Sequence, residues 1–482
     1  MTDSFYSDLH IVPANGLSPL KRVWEFGFNT DHAPMVMRSD LREHMKMARE
    51  QLGMRYWRCH GTLSDDVSIL IEDLQGRRRT TFSGLKRILD AALSTGVKPF
   101  MELSFMPSLL ARDPSQTITH YRGITSPPRD FAEWGALIGN TARFLAETYG
   151  AAELRSWYFE VWNEPNIPFW LGTQAEYFEL YRQAALAIKR VDSRLRVGGP
   201  ATARAAWVRE FLDYCRATNT PVDFVSTHIY PSDIDFVDSD RGDVKLLGVD
   251  FVYEHLRRVQ CEVAETTPGL PVFWGEWNSS AGPFAANHDE ANNAALVAAA
   301  LAGIEEYGDG SLYWNLSDIY EEGGHHFAPF HGGYGLFTVD DIPKSAARAF
   351  ELFHQLGDWK LDVSGLPPSP ARGALASLDS AKRGCSVALW NHIGPTDGAG
   401  QAWTVDMEIA GAKGEADLIA VAPGAGSAYE SWLAMGAPDT LTPAQRSQLL
   451  AASVPGRTVL CGEGGRFRVV LEPGTVALLQ VD

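Results

Sequence analysis

Apolar runs of strand length alternate with amphipathic helical segments between residues 20 and 353. Apolar residues recurring every three to four positions predict helices over 41–52, 85–95, 131–149, 176–190, 205–217, 252–266 and 287–307. Short apolar runs between them predict eight strands, over 23–28, 55–60, 98–103, 158–162, 196–199, 224–229, 272–277 and 311–314. This alternation is typical of a parallel (β/α)8 TIM barrel. An open doubly wound sheet is the alternative, but no glycine-rich nucleotide-binding motif follows the first strand.

The pattern changes after residue 355, where turns rich in glycine and proline separate short β-type runs. The runs lie at 385–391, 403–409, 414–421, 466–471 and 475–481 and predict a small antiparallel β-sandwich. We expect a catalytic barrel at 18–354 and an accessory sandwich domain formed by 1–17 plus 355–482, in which residues 10–13 add a strand. A short helical insertion near 427–452 is predicted, with Thr442 and Pro443 at the start of its helix. Residues 65–81 are predicted to form a β-hairpin near the barrel mouth.

Composition and charge narrow the classes of partner. The formal net charge of −18 argues against nucleic acid, because phosphate binding needs clustered lysine and arginine. The N-terminus lacks a basic segment followed by an apolar run of signal-peptide length, and no apolar stretch approaches the roughly 20 residues of a membrane span. We therefore expect a cytoplasmic protein that binds neither nucleic acid nor membranes. The sequence leaves the oligomeric state open.

Two glutamates stand where apolar strands end. Residues 157–170 read WYFEVWNEPNIPFW, and Pro165 must end the strand near Glu164 because proline cannot donate to a sheet ladder. Glu276 lies in a similar aromatic run, VFWGEWN, at 272–278. Counting strands places Glu164 after the fourth and Glu276 on the seventh, at the barrel face where active sites lie. Two convergent carboxyl groups about 5–5.5 Å apart are what a retaining glycosidase requires.

The neighbours of the two glutamates suggest their roles. Apolar surroundings and a second carboxylate raise a carboxyl pKa, so Glu164 is the predicted general acid/base and Glu276 the ionised nucleophile. Asn163 is placed to bind the 2-hydroxyl of a sugar. Arg58 is the predicted cationic partner of Glu276, and Tyr230 a second donor to it, although Arg58 could instead belong to an ion pair of the barrel core.

Several motifs occur in an order that resembles glycoside hydrolase family 39, the family of β-xylosidases and α-L-iduronidases. They are RYWRCHG at 55–61, ELSFMP at 102–107, FEVWNEPN at 159–166, STHIYP at 226–231, GEWN at 275–278 and FHGG at 330–333. The tail segment YESWLAMG at 429–436, followed by LTP at 441–443, resembles the xylosidase branch, so the resemblance extends over nearly the whole chain.

The resemblance implies retention of configuration, with Glu164 as acid/base and Glu276 as nucleophile. It also implies a sugar pocket lined by His60, Asn163, His228, Tyr230, Trp314 and Glu322. Three alternatives remain at this point: His228 as a packing histidine, Trp314 as a residue of the barrel core, and Glu321 as the inward-facing carboxylate in place of Glu322.

No metal or other cofactor is expected. The histidines His325, His326 and His331 fit no standard ligand spacing, and hydrolysis by two carboxylates needs no metal. The five cysteines are odd in number and never form a CxxC pair, which predicts reduced and mostly buried thiols.

The segment after Trp314 favours a neutral pentose as the substrate. It offers Asp318, Glu321 and Glu322 but no lysine or arginine before Lys344, whereas a uronate needs cations for its carboxylate. Tyr320 and Phe327 in the same segment would close the space beyond C5. The sequence therefore predicts an exo-acting β-D-xylosidase on short xylo-oligosaccharides.

Three other functions are the alternatives. They are an α-L-iduronidase-like enzyme, an α-L-arabinosidase-type enzyme and a non-catalytic carbohydrate-binding barrel. A binding barrel would keep the aromatic residues but would not need both Glu164 and Glu276, so the presence of the pair argues against it.

Overall fold

Eight parallel strands close into a barrel, with each strand bonded to the next along the chain and the last bonded to the first. The computed structural model describes residues 5–12, 18–233, 245–324, 328–379, 384–412 and 414–481. The barrel strands are β1 Gly27–His32, β2 Tyr56–His60, β3 Lys98–Leu103, β4 Tyr158–Val161, β5 Arg196–Thr202, β6 Phe224–Ile229, β7 Val272–Trp277 and β8 Gly310–Tyr313. The predicted TIM barrel is confirmed.

One long helix follows each barrel strand. These helices are α1 Ser39–Gln51, α2 Ser83–Leu93, α3 Phe131–Tyr149, α4 Gln174–Val191, α5 Val208–Thr218, α6 Val249–Thr266, α7 Ala291–Tyr307 and α8 Ser345–His354. The predicted hairpin after β2 is present as the antiparallel pair Leu70–Glu72 and Arg78–Thr80. A 3-10 turn at Ala286–His288 precedes α7, so this helix begins four residues later than its apolar pattern predicts.

The first strand was predicted at 23–28, and this was wrong. Val23–Glu25 forms a 3-10 turn whose apolar side chains are buried, and β1 runs over Gly27–His32 instead. The strand was missed because its inward side chains are polar. Asn29 points into the barrel and donates from Nδ2 to the backbone oxygens of Gly275 at 2.9 Å and Leu312 at 3.0 Å. An apolar pattern cannot reveal a strand whose buried face is satisfied by hydrogen bonds.

Aromatic side chains form the floor of the barrel at the amino-terminal ends of the strands. Phe26 stacks on Phe273 with ring centroids 4.6 Å apart, and Phe100 stacks on Tyr158 at 5.1 Å. On three of the strands, the inward position two residues further along is charged: Arg58, Glu102 and Glu160. Tyr158 is followed by Glu160, because alternate residues of a strand face the same side. The apolar floor therefore supports a buried polar layer, and the candidate site lies above that layer.

The second unit is a mostly antiparallel β-sandwich with its own apolar core. The strand Phe5–Val12 lies between two of its strands, antiparallel to Trp359–Ser364 and parallel to Trp403–Ile409. The parallel pair departs from the all-antiparallel prediction, and it is possible because a long stretch of chain connects the two strands. The remaining long strands are Arg372–Leu378, Cys385–Asn391, Glu415–Pro423, Gly456–Cys461, Arg466–Leu471 and Thr475–Val481. The domain boundaries at 17/18 and 354/355 stay a prediction.

The helical insertion of the sandwich packs against the long β8 loop, residues 314–344. It consists of the helices Tyr429–Ala434 and Pro443–Ala452, and Thr442 caps the second helix by accepting a hydrogen bond from the Gln445 amide. Trp432 of the first helix packs on Phe330 of the β8 loop, with ring centroids 5.5 Å apart. The accessory unit therefore supports a loop that, as shown below, lines the candidate site.

Two further features concern the helices and the cysteines. Within the described ranges, no helix combines the length and the apolar character needed to cross a membrane. All five cysteines are free: Cys59, Cys215 and Cys385 are buried, whereas Cys261 and Cys461 are exposed.

A buried lysine ties the β8 loop to the start of α7. Lys344 Nζ lies 2.5 Å from Asp289 Oδ1 and 2.6 Å from Asp318 Oδ2, and it donates to the Gly333 carbonyl at 2.9 Å. The side chains of all three charged residues are essentially inaccessible to solvent. Such a cluster is stable only while its charges are paired.

We expect Lys344→Met to lower the free energy of unfolding by about 3–5 kcal/mol, because Asp289 and Asp318 would be left buried without a cation. Urea denaturation followed by tryptophan fluorescence measures the change. Lys86→Met is the matched control, since Lys86 pairs with Asp90 on an exposed face of α2. The control should cost less than about 1 kcal/mol. Equal losses in the two variants would contradict the importance of the buried cluster.

Candidate active site

A cavity opens at the carboxyl ends of the barrel strands. Its wall is formed by His60, Asn163, Glu164, Phe169, Ala203, Arg204, Tyr230, Ser232, Glu276, Ala281, Trp314, Glu322 and Tyr334. Seven of the predicted site residues are among them: His60, Asn163, Glu164, Tyr230, Glu276, Trp314 and Glu322. The other two, Arg58 and His228, are fully buried and contact the glutamates from behind.

The chain turns sharply where β4 ends, and this turn presents Glu164 to the cavity. Trp162 and Glu164 both have positive φ angles, 72° and 43°. Such conformations cost of order 1–3 kcal/mol in non-glycine residues and cluster at functional sites. The surrounding contacts hold the turn: the Glu164 amide donates to the Ala201 carbonyl at 2.8 Å, and Trp162 Nε1 donates to the Phe169 carbonyl at 2.9 Å.

Glu276 is held by donors on both carboxylate oxygens. Arg58 Nη1 donates to Oε1 at 2.7 Å, and the Tyr230 hydroxyl donates to Oε2 at 3.1 Å. His60 Nε2 lies 3.7 Å from Oε1. Both contacts that the sequence suggested for Glu276, with Arg58 and with Tyr230, are present.

Arg58 is the centre of a larger buried network. Its guanidinium lies 2.8 Å from Glu102 Oε2 and 2.6 Å from Glu160 Oε2, in addition to Glu276. It also donates to Asn163 Oδ1 at 2.9 Å. Burial alone would lower the pKa of Arg58, but the three carboxylates raise it above its ordinary value. The sequence left two roles open for Arg58: cationic partner of Glu276, or member of an ion pair in the barrel core. In the structure Arg58 makes both sets of contacts.

His60 adds a second positive charge to the network. Its Nδ1 lies 2.7 Å from Glu102 Oε2. Burial would lower the pKa of His60, but Glu102 and Glu276 raise it to about 9. His60 is therefore an imidazolium near neutral pH, and it faces the cavity beside Trp314, with ring centroids 4.7 Å apart.

Glu164 and Glu276 lie close together but in different electrostatic surroundings. One carboxylate oxygen of each lies within 4.8 Å of the other. Burial and the charge of Glu276 raise the pKa of Glu164 well above its ordinary value. Burial also raises the pKa of Glu276, but Arg58 and His60 oppose that rise. When one proton is shared between the two, it therefore resides on Glu164.

His228 lies between the two glutamates on their buried side. Its Nδ1 is 3.0 Å from Glu164 Oε1 and 3.5 Å from Glu276 Oε2. Burial, Arg58 and His60 together hold the pKa of His228 well below its ordinary value, so the ring is neutral. These contacts place His228 behind the carboxylates, not within the cavity wall.

The β8 loop brings Glu322, not Glu321, to the cavity. Glu322 Oε2 accepts a hydrogen bond from the Tyr320 hydroxyl at 2.6 Å. Glu321 turns the other way, and its Oε1 lies 2.9 Å from His32 Nδ1. Phe327, which was expected to close the pocket beyond C5, lies outside the described residues, as do His325 and His326.

Sequence reasoning missed several residues of the wall. Phe169 follows Glu164 within the same aromatic run, so its position in the sequence could have identified it as a residue of the cavity wall. Tyr334 comes from the β8 loop and Arg204 from the turn after β5, and neither has a distinctive sequence context. Only the closing of the barrel brings these loops together.

Among the residues that the structure describes, two groups of side chains have ligand atoms close enough to hold a metal ion. They are His60, Glu102 and Glu276, and Glu164, His228 and Glu276. Both groups share Glu276, whose Oε1 is already bonded to the buried guanidinium of Arg58. A cation would meet this positive charge, so the residues present fit a metal poorly. The expectation that the site works without a metal stays a prediction.

Comparison with known proteins agrees with this geometry. The model of glycosyl hydrolases family 39 matches residues 8–462. A β-xylosidase of Caldicellulosiruptor saccharolyticus is 38% identical over 448 residues, which cover 91% of this chain and 89% of that relative. A β-xylosidase of Geobacillus stearothermophilus is 37% identical over 365 residues, covering 73% and 72%.

A solved structure is similar over the full length of the chain. The crystal structure of a monomeric β-xylosidase from Caulobacter crescentus CB15 superposes with a TM-score of 0.88 at 30% identity, covering 99% of both chains. The family match spans the barrel and most of the sandwich, and the ordered motifs around Glu164 and Glu276 lie within it. The chain belongs to glycosyl hydrolases family 39.

Proposed function

We propose that the chain is a retaining β-D-xylosidase that releases xylose from the non-reducing end of short xylo-oligosaccharides. The observation that carries this proposal is the pair of glutamates in one cavity, with Glu276 held by Arg58 and Tyr230 and the pKa of Glu164 raised by its surroundings. The separation of the two carboxyl groups, within 4.8 Å by their nearer oxygens, favours the retaining geometry. The relatives named as β-xylosidases support xylose as the sugar.

In the first step, Glu276 attacks the anomeric carbon while Glu164 transfers its proton to the leaving oxygen. The bond between C1 and that oxygen breaks, and a bond between C1 and a Glu276 oxygen forms. Tyr230 and Arg58 keep Glu276 ionised and oriented before the attack. The attached sugar then removes the negative charge of Glu276, so the pKa of Glu164 falls and the residue is ready to act as a base.

In the second step, Glu164 accepts a proton from a water molecule as that water attacks C1. The bond to Glu276 breaks, and xylose leaves with its original anomeric configuration after two inversions. Neutral His228 lies 3.0 Å from Glu164 Oε1, and in the tautomer that carries its proton on Nδ1 it would donate to Glu164 when the carboxylate is charged.

The sugar is bound by groups already aimed into the cavity. Asn163 Oδ1 is occupied by Arg58, which leaves the Nδ2 group, buried and without a partner among the described residues, to donate to the 2-hydroxyl. His60 and Glu322 are the partners we assign to the 3- and 4-hydroxyls, and Trp314 offers its ring face to the sugar.

Charge favours a neutral pentose over a uronate. Glu322 lines the cavity, and its negative charge would repel a uronate carboxylate placed beside it. Tyr320 and Tyr334, with ring centroids 5.6 Å apart, narrow the same region. An α-L-arabinoside remains the second candidate, because the two pentoses differ little around the ring.

The direct test is a panel of aryl glycosides: β-D-xyloside, α-L-arabinoside, β-D-glucoside and α-L-iduronide. We expect kcat/KM to be highest for the β-xyloside, because the aromatic and anionic wall near C5 suits a sugar without a substituent there. Continuous assay of the released phenol measures all four rates. A preference for the iduronide would overturn the substrate assignment, and no turnover of any member would overturn the enzyme assignment.

Replacing each glutamate should separate their roles. Glu276→Ala should lower kcat by at least about 10⁴-fold, and azide should restore turnover with an α-xylosyl azide product. Glu164→Ala should lose about 10²–10⁴-fold on substrates with poor leaving groups, keep a fast first step on activated ones, and give the β-xylosyl azide. Product configuration is read by NMR. The reverse pattern of azide products would show that the roles are exchanged.

Charge coupling between the glutamates gives a separate prediction. Glu164 must be protonated for the first step, so activity falls as the pH rises through its pKa. Because Glu276 raises that pKa, Glu276→Gln should lower the pKa of Glu164. Carbon-13 NMR titration of the side-chain carboxyls measures this in the inactive variant. Glu306→Gln, on an exposed position of α7, should leave the Glu164 titration unchanged. An unchanged or raised pKa in Glu276→Gln would contradict the coupling.

A further inference from the structure

The part of the β8 loop that carries Glu322 is fastened by contacts from β1 and from the loop after β3. The Glu321 amide donates to Asp31 Oδ2 at 2.7 Å, and Glu321 Oε1 lies 2.9 Å from His32 Nδ1. The His120 amide, on the loop after β3, donates to the Glu322 carbonyl at 3.0 Å. Glu321 and Glu322 are adjacent carboxylates, so a contact that holds one of them outward also decides that the other faces the cavity.

His32, at the end of β1, is the side chain that holds Glu321. Only 3% of its side chain is exposed. Its second nitrogen, Nε2, lies 3.0 Å from Asp66 Oδ2 on the loop after β2, and its ring stacks on Tyr121 with centroids 4.1 Å apart. One buried imidazole therefore joins the loops that follow β2, β3 and β8.

The charge of His32 suits this role. Burial would lower its pKa, but Asp66 and Glu321 on either side, with Asp31 adjacent in the chain, raise it to about 9. The Tyr121 ring covers one face of the imidazole. His32 is therefore an imidazolium at neutral pH, paired with one carboxylate at each nitrogen.

We propose that His32 is a positioning residue for substrate recognition: its imidazolium holds Glu321 away from the cavity and so fixes Glu322 toward the hydroxyls of the sugar. This inference rests on the proposed function, in which Glu322 binds the 3- and 4-hydroxyls. His32 does not line the cavity, so it acts through the β8 loop and not by touching the substrate.

The test compares an aryl β-xyloside with its 3-deoxy and 4-deoxy analogues. The measured quantity is the ratio of kcat/KM for the parent to kcat/KM for the analogue. In the unaltered protein this ratio reports the contact of Glu322 with the missing hydroxyl. We expect His32→Gln to reduce it by about 10-fold or more for at least one analogue, the scale of a hydrogen bond to a charged group. A purely structural role would lower all rates together and leave the ratio unchanged.

Asp66→Asn provides a milder second variant, because Asp66 is about half exposed and its replacement leaves the barrel interior intact. We expect a smaller fall in the same ratio at neutral pH. Glu72→Gln removes one negative charge from an exposed position on the neighbouring hairpin and should leave the ratio unchanged. If His32→Gln fails to fold, Asp66→Asn decides the question.

The pH dependence gives a readout specific to His32. The pKa of His32 is raised, so its ion pairs with Glu321 and Asp66 are complete below the ordinary histidine range. They are lost as the pH rises through about 9. Asp66→Asn removes a carboxylate that raises this pKa. The ratio of kcat/KM for the parent to kcat/KM for the deoxy analogue should therefore fall at a lower pH than in the unaltered protein. Ionisation of Glu164 affects parent and analogue alike and cancels in the ratio. His60 also has a pKa of about 9, but Asp66 is not among the groups that shift it.

A Glu322→Gln variant shows whether His32 acts through Glu322. In that background His32→Gln should have little further effect on the ratio, because the contact it positions is already weakened. Unchanged ratios in both His32→Gln and Asp66→Asn, in protein that hydrolyses the parent xyloside, would overturn the inference while leaving the proposed function intact. Absence of parent hydrolysis in the unaltered protein would overturn the proposed function instead.

Discussion

The site depends on one buried guanidinium. Arg58 meets three carboxylates and the side-chain oxygen of Asn163 inside the barrel, where solvent cannot compensate an unpaired charge. It keeps Glu276 oriented, and it occupies the side-chain oxygen of Asn163, so the Nδ2 group of Asn163 is left without a partner among the described residues. The aromatic floor below this layer fixes the depth at which the charges lie. A substitution in the aromatic floor or in the Arg58 network would therefore affect Glu164 and Glu276.

Two identical side chains acquire different properties from their neighbours. Glu276 is held by Arg58 and Tyr230, whereas Glu164 has a neutral imidazole beside it and a negative carboxylate within 4.8 Å. The proton consequently belongs to Glu164. The strained turn at the end of β4 brings Glu164 to this position, and the surrounding hydrogen bonds compensate the conformational cost of the turn.

The outer wall of the cavity is built differently from the buried charged layer beneath it. That layer consists of strand residues whose direction the barrel fixes. The wall includes the β8 loop, whose described residues form only isolated β-bridges. This loop relies on the Lys344 ion cluster, the packing of Phe330 on Trp432, and the contact of His32 with Glu321. Substrate preference is therefore expected to be set in the loop, whereas the two glutamates are placed by the strands and the turns that directly follow them.

The sequence by itself determined the elements whose residues repeat with a simple period. Apolar runs identified seven of the barrel strands, and counting them placed Glu164 and Glu276 at the same face. It did not locate β1, because Asn29 is buried through hydrogen bonds that a hydropathy pattern does not register. It could not choose between Glu321 and Glu322, because that choice is made by His32, nearly 300 positions away in the chain. The face of a strand on which a side chain lies follows from the local repeat of apolar residues. The orientation of a loop side chain follows instead from contacts between distant segments. These contacts exist only once the barrel has closed.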